Sequence, residues 1–314
     1  MNTLINCLTK LLAFYFSRLN ILKKFECHII ITVNDSTAIS ALTKQCALST
    51  NVIKHAISQG ALWLTRNKKT QRYRRIKKPL KMNDQLHFYY NEAILSQVPP
   101  PAKLIADLTD YSVWYKPFGM LSQGTKWSDH CSIARWAQQH LTPERPAFIV
   151  HRLDKAATGL IIIAHSKKAV RALTAMFESR DEVKYQLTKH YQIIVHGNHS
   201  NNKQPQVITQ DIDGKPSKST FALENYDKEN DLSLLAVKID SGRKHQIRIH
   251  AANIGLPVVG DRLHGDKTKN YQDELNLQLS AVELSFICPL SNKQQWFKLS
   301  DEYKPDIKKV IALL

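Results

Sequence analysis

The segment His151–Ile163, HRLDKAATGLIII, constrains this chain more than any other, because it sets an aspartate between an arginine and an apolar strand. Aspartate and arginine are seldom fully buried unless paired, and a charge taken out of water unpaired is costly. Asp154 therefore requires a partner or a function. The plain structural alternative is a solvated turn holding Arg152 and Asp154 ahead of the strand Gly159–Ala164, since surface ion pairs contribute little.

A second dense segment, Ser241–Gly265, reads SGRKHQIRIHAANIGLPVVGDRLHG and carries Arg243, Lys244, Arg248 and Arg262 among His245, His250 and His264. Glycine is scarce, 10 in 314 residues, yet Gly119, Gly159, Gly242, Gly255, Gly260 and Gly265 all fall in three short segments. Glycine serves where backbone bends sharply or a ligand approaches closely, so this concentration points to one composite site.

Lysine plus arginine number 44 against 27 acids, a net charge of +17, which favours a polyanionic partner over generic solubility. The densest basic run, RNKKTQRYRRIKKPLK over Arg66–Lys81, has no acid; its Arg66, Lys68, Lys69, Arg72, Arg74, Arg75, Lys77 and Lys78 are candidate phosphate contacts, with a solvated face as the bland alternative. Structured signals flank it. Ser49 or Thr50 can cap a helix with Val52, Ile53, Ala56 and Ile57 on one face and Gly60 at its end. Ala61–Thr65 and Leu86–Tyr90 then read as strands.

Taken together the segments resemble the RluA-type family of RNA pseudouridine synthases. Three blocks match in order: VWYKPFGMLSQG (Val113–Gly124), HRLDKAATGL (His151–Leu160) and SGRKHQIRIHAANIGLPVVGD (Ser241–Asp261), with a shorter match at KHY, Lys189–Tyr191. The resemblance spans roughly residues 108–300. It implies Asp154 as the catalytic carboxylate, Tyr191 as the aromatic that stacks on the base and assists proton removal, Arg248 as the ion-pair partner of Asp154, and Arg152 as a residue that helps to unstack the target nucleotide. Lys116, His151, Arg243, Lys244 and His245 are expected to face the RNA. One departure stands out: where the family has Thr-Ser-Gly-Leu, this chain has Ala157-Thr158-Gly159-Leu160, which keeps a hydroxyl and the glycine. The helix, glycine turn, strand and arginine-rich loop upstream resemble the small RNA-binding domain named after ribosomal protein S-four.

The reaction so implied breaks the bond from sugar to base nitrogen, rotates the base and rejoins it through carbon 5. A carboxylate can attack the anomeric carbon or remove the 2′ proton; the sequence leaves both routes open. Either needs a charged Asp154 in a nearly dry pocket, where a guanidinium such as Arg248 offsets lost hydration. A stacked base cannot reach such a pocket, so the enzyme must flip it out. No redox or phosphate-activation step occurs, so neither metal nor organic cofactor is required.

The fold expected is α+β: a catalytic domain with a mixed, largely antiparallel sheet over 108–314, preceded by a small α+β RNA-binding domain over 26–98 and a proline-bearing linker over 99–107. Gly159–Ala164, Gln192–His196 and Leu232–Ile239 read as strands, Lys167–Glu178 as a helix, and His199–Gln206 as a polar loop. Residues 1–25 form an N-terminal extension whose LLAFYF is too short to span a membrane and lacks the flanks of a signal peptide. Five cysteines without paired spacing fit reduced thiols and a cytoplasmic location. Thirteen histidines form no metal-ligand pattern, so His151, His245 and His250 are expected to be hydrogen-bonding or phosphate-facing. The partner is then ribosomal or transfer RNA, ribosomal slightly favoured, with no membrane and no metal, and a monomer as default. The rival is a non-catalytic RNA-binding or ribosome-assembly protein retaining the fold. A hydrolase using Asp154 as nucleophile would need a water-activating constellation that the sequence lacks.

Overall fold

The computed structural model describes residues 23–34, 36–179, 182–199, 204–266, 268 and 275–313. The expected extension up to residue 22, with LLAFYF and Cys7, and residues 200–203 of the polar loop lie outside the described residues. Backbone contacts divide the chain into two compact units, one of residues through Pro99 with Gly124–Arg135, the other of Pro100–Gln123 with Trp136–Leu314.

In the first unit strands β1 (Lys24–Ile30), β2 (Leu62–Arg66), β3 (Lys69–Arg72) and β4 (Gln85–Asn91) form an antiparallel sheet in the order β1-β4-β2-β3. Helices α1 (Ala38–Gln45) and α2 (Thr50–Ser58) supply Leu42, Ile53, Ala56 and Ile57 to a core shared with Leu62, Leu64, Leu86 and Phe88. Thr37 and Ser40 close α1 with a reciprocal capping box, and the Ser49 hydroxyl accepts from Val52 N at 3.4 Å to start α2. Val52, expected on the buried face, is instead exposed. The basic run is not a plain loop: Asn67 and Lys68, both at positive φ, turn a hairpin between β2 and β3.

The second unit holds one sheet of ten described strands: β5 (Lys103–Asp107), β6 (Tyr111–Lys116), β7 (Phe148–Ile149), β8 (Thr158–Ala164), β9 (Thr188–His196), β10 (Gln206–Ile208), β11 (Ser219–Asp227), β12 (Leu232–Ile239), β13 (Leu279–Ile287) and β14 (Gln294–Lys298). The spatial order is β10-β11-β12-β9-β13-β8-β6-β5, with β14 beside β13 and β7 beside β8. All described pairings are antiparallel except β13 with β8, so the mixed α+β architecture is as expected. Part of the expected linker, Lys103–Asp107, is strand, because its residues pair along β6.

Apolar runs explain where the sheet is thickest. Leu160–Ala164 is buried throughout, as befits a central strand covered on both faces. Helix α3 (Lys167–Glu178), begun by the Ser166 side chain on Ala169 N, packs Ala169, Leu173 and Met176 onto it. Gly159, the second residue of this strand, sits at φ +117, where a Cβ would lie 2.4 Å from the backbone of Ala281; only glycine lets β8 join β13 here. Helix α4 (Gln246–Asn253) is among the elements the sequence did not reveal, here because its buried face is largely polar: Gln246, Arg248 and His250 beside Ile247 and Ala251.

Candidate active site

Asp154 lies on the loop between β7 and β8, and several contacts fix that loop. Ser122 Oγ donates to Leu153 O at 2.6 Å and accepts from Leu153 N at 2.9 Å, pinning the residue before the aspartate on both sides. Gly119 N donates to Lys155 O at 2.9 Å, immediately after it. Lys116 is fully buried, its ammonium donating to Met120 O at 2.9 Å, Pro117 O at 3.1 Å and Lys155 O at 3.4 Å. Burial pushes this amine down and Asp154 only partly opposes it, so that it ends at about 7. The expectation that Lys116 meets RNA phosphates is therefore corrected: it ties the first and second sequence blocks together.

His151 is corrected likewise. Its ring stacks on Phe177 with centroids 4.2 Å apart, and its Nε2 accepts from Ile162 N at 3.1 Å, so it anchors the start of the loop instead of facing solvent. Burial, with Lys189 adding to it, pushes His151 from 6.5 down to about 3. Its folded-state value lies below the unfolded one, so the stability it contributes is complete above pH 6.5 and lost as pH falls towards 3. At about 1.4 kcal/mol per pH unit, the advantage of wild type over His151→Gln should shrink by about 2 kcal/mol between pH 7 and pH 5. Urea unfolding of both proteins at the two pH values checks this; parallel losses in both would contradict it.

Arg248 comes from α4 and unites two carboxylates. Its Nε and Nη2 donate to Asp261 at 2.7 and 2.5 Å, and its Nη1 donates to Asp154 Oδ2 at 3.2 Å. Burial alone would push the guanidinium down; Asp261 first, then Asp154, more than reverse that. Asp261 is opposed by burial and held low by Arg248 and by the backbone N–H groups of His264 and Leu263, at 3.0 and 2.9 Å. Gly260, at φ +74 with no space for a Cβ against Asn276 O, delivers Asp261 to this position. Asp261 is the residue the sequence reading missed, although it closes the third block.

His245 reaches to 3.8 Å from Asp154 Oδ2. Tyr191 projects from β9 opposite Val237 and Ala281, and its phenol is pushed up by burial and by the Asp154 charge. A cavity of about 580 Å³ opens beside Asp154, lined in part by Phe118, Arg152, Arg243, Lys244, His245, Arg248, Arg262 and Leu263; Tyr191 is not among its lining residues. Asp154 keeps 27% of its side chain exposed, so the resting pocket is wetter than expected. Of the six glycines grouped by sequence, Gly242 and Gly260 line the cavity. His250 is a buried scaffold group, its ring nitrogens 2.9 and 3.0 Å from the hydroxyls of Ser219 and Ser217.

The basic run of the first unit is less free than its composition suggests. Arg66 forks onto Asp84 at 2.7 and 2.5 Å, while Arg72 and Arg74 both pair with Asp129. Lys68, Lys69, Arg75, Lys77 and Lys78 are exposed.

A family model described as RNA pseudouridylate synthase matches residues 110–253. An Aquifex aeolicus protein named "Uncharacterized RNA pseudouridine synthase" is 27% identical over 298 residues, covering 85% of this chain and 89% of its own. The "Dual-specificity RNA pseudouridine synthase RluA" of Vibrio parahaemolyticus is 29% identical over 215 residues, covering 62% and 82%. The solved structure of Human RNA Pseudouridylate Synthase Domain Containing 1 superposes with a TM-score of 0.54 at 20% identity, over 68% of this chain and 94% of that one, and so shares the fold. With Asp154, Tyr191 and Arg248 all inside the matched region, the chain is similar to RNA pseudouridine synthases of the RluA type, and that similarity supports its being an isomerase.

Proposed function

We propose that this enzyme isomerises particular uridines of structured RNA, ribosomal in preference to transfer, with Asp154 as the reacting carboxylate. The observation that carries the reading is a carboxylate at a cavity rim whose charge is matched by a buried, doubly anchored guanidinium. Attack on the anomeric carbon and removal of the 2′ proton both use that carboxylate. Phosphates need cations, and Arg152, Arg243, Lys244 and Arg262 supply them around the cavity. Arg152, exposed at the rim beside Asp154, supports the extruded nucleotide in this reading. The first unit serves as an S-four-like RNA-binding domain through Lys68, Lys69, Arg75, Lys77 and Lys78, working as a monomer in the cytoplasm.

Tyr191 stacks on the detached base and helps carbon 5 lose its proton. A phenol kept protonated is a poor resting base, so it must hand on its own hydrogen as it takes another. Tyr191→Phe should keep RNA affinity and slow product formation by about 10- to 100-fold. An unchanged rate in single-turnover assays would remove the hydroxyl from the chemistry.

Because the reaction expels hydrogen from carbon 5, tritium release from 5-³H-uridine RNA reads it directly. The purified full chain should release tritium faster from ribosomal than from transfer RNA transcripts. Release from transfer RNA alone would reverse the substrate preference, and release from neither would overturn the proposal.

A further inference from the structure

The oxygen of Asp154 held by Arg248 is also the one that faces a histidine pair. His245 Nε2 lies 3.8 Å and Arg248 Nη1 3.2 Å from Asp154 Oδ2. His245 Nδ1 in turn lies 3.0 Å from His264 Nε2, with the rings at 70°. Both rings are placed by the same cluster. His245 sits at φ +56 just ahead of α4, the helix that carries Arg248, and His264 N donates to Asp261 Oδ1.

The groups facing His245 decide its charge. Burial lowers its affinity for a proton, Asp154 raises it, and Arg248, His264 and Lys244 lower it; the balance is downward, which leaves the ring neutral at neutral pH. A neutral imidazole has one N–H and one lone pair. With the hydrogen on Nδ1, the Nε2 lone pair would face the carboxylate, two acceptors together. With the hydrogen on Nε2, that N–H points at Asp154 and Nδ1 accepts from His264 Nε2–H. Only this arrangement satisfies both contacts.

We propose that His264 locks the tautomer of His245 so that its Nε2–H steadies Oδ2 of Asp154, making the two histidines positioning residues that leave Oδ1 to address the substrate. The proposal rests on Asp154 being the reacting carboxylate. At 3.8 Å the contact is longer than a hydrogen bond, and it closes by roughly 1 Å as the pocket fills and water leaves.

The test joins a resting measurement to a kinetic one. In full-length protein labelled with ¹⁵N-histidine, with His245→Gln used to assign the signal, His245 should show hydrogen on Nε2 near neutral pH. His264→Leu should lose that preference and lower kcat by about ten-fold, with KM changed by less than about two-fold. His264→Gln, whose amide N–H can donate to the same Nδ1, should restore both, which a merely structural role would not require. Hydrogen on Nδ1 in the wild type, or an unchanged kcat in His264→Leu, would overturn the proposal. If Asp154→Asn still turns over, it is the catalytic reading that falls, and the resting tautomer separates that failure from failure of the pair.

Discussion

Asp154→Asn should abolish isomerisation, by about 10³-fold or more, while RNA affinity stays within a few fold. The substitution keeps the shape of the side chain and removes its charge. An amide can neither attack the anomeric carbon nor remove the 2′ proton, so both routes close together. The fold should tolerate the change. Asp154 is 27% exposed, and Arg248 keeps its forked pair with Asp261, so no fully buried charge is stranded. Tritium release and filter binding on the same RNA measure the two quantities; turnover within about ten-fold of wild type would refute the assignment of Asp154.

Arg248→Met should remove activity and stability at once. Asp261 is 1% exposed, and without the guanidinium its charge would rest on two backbone N–H groups. Leaving one member of a buried ion pair costs about 3–5 kcal/mol. Asp154 would meanwhile lose its strongest neighbour. The two losses can be parted by adding Asp261→Leu to Arg248→Met, which removes the stranded carboxylate. Much of the stability should return in urea unfolding, and the activity should not. If the double variant recovered turnover, Arg248 would be a scaffold residue only. If the single variant were as stable as wild type, the buried pair with Asp261 would not exist.

The sequence was most legible where apolar pattern and backbone demand coincide. The helix Lys167–Glu178 and the strand Leu232–Ile239 appear with the expected ends, because alternating or helical spacing of aliphatic residues has one consistent solution. Polar burial hid the rest. Gln246–Asn253 forms a helix whose inward face carries Gln246, Arg248 and His250, a pattern that reads as surface until Ser217, Ser219 and Asp261 are seen beside it. Lys116 and His151 misled for the same reason: a lysine enclosed by carbonyls and a histidine stacked on Phe177 look, as letters, like residues meant for phosphate. In the basic run, the arginines that pair with Asp84 and Asp129 find acids distant in sequence, which no local window could show. The pairing of Arg248 with Asp154 was expected from the family resemblance, and the contact is present at 3.2 Å; Asp261, which holds that arginine from the other side, needed the fold.

Whether a carboxylate at Asp154 makes pseudouridine in cellular RNA can be read by mapping pseudouridine across all RNA of a strain lacking this gene. The strain is complemented with either wild type or Asp154→Ala. One or a few sites should vanish on deletion and return with wild type alone. Sites that return equally with Asp154→Ala, or a map that deletion leaves unchanged while the RNA is expressed, would contradict the proposed function.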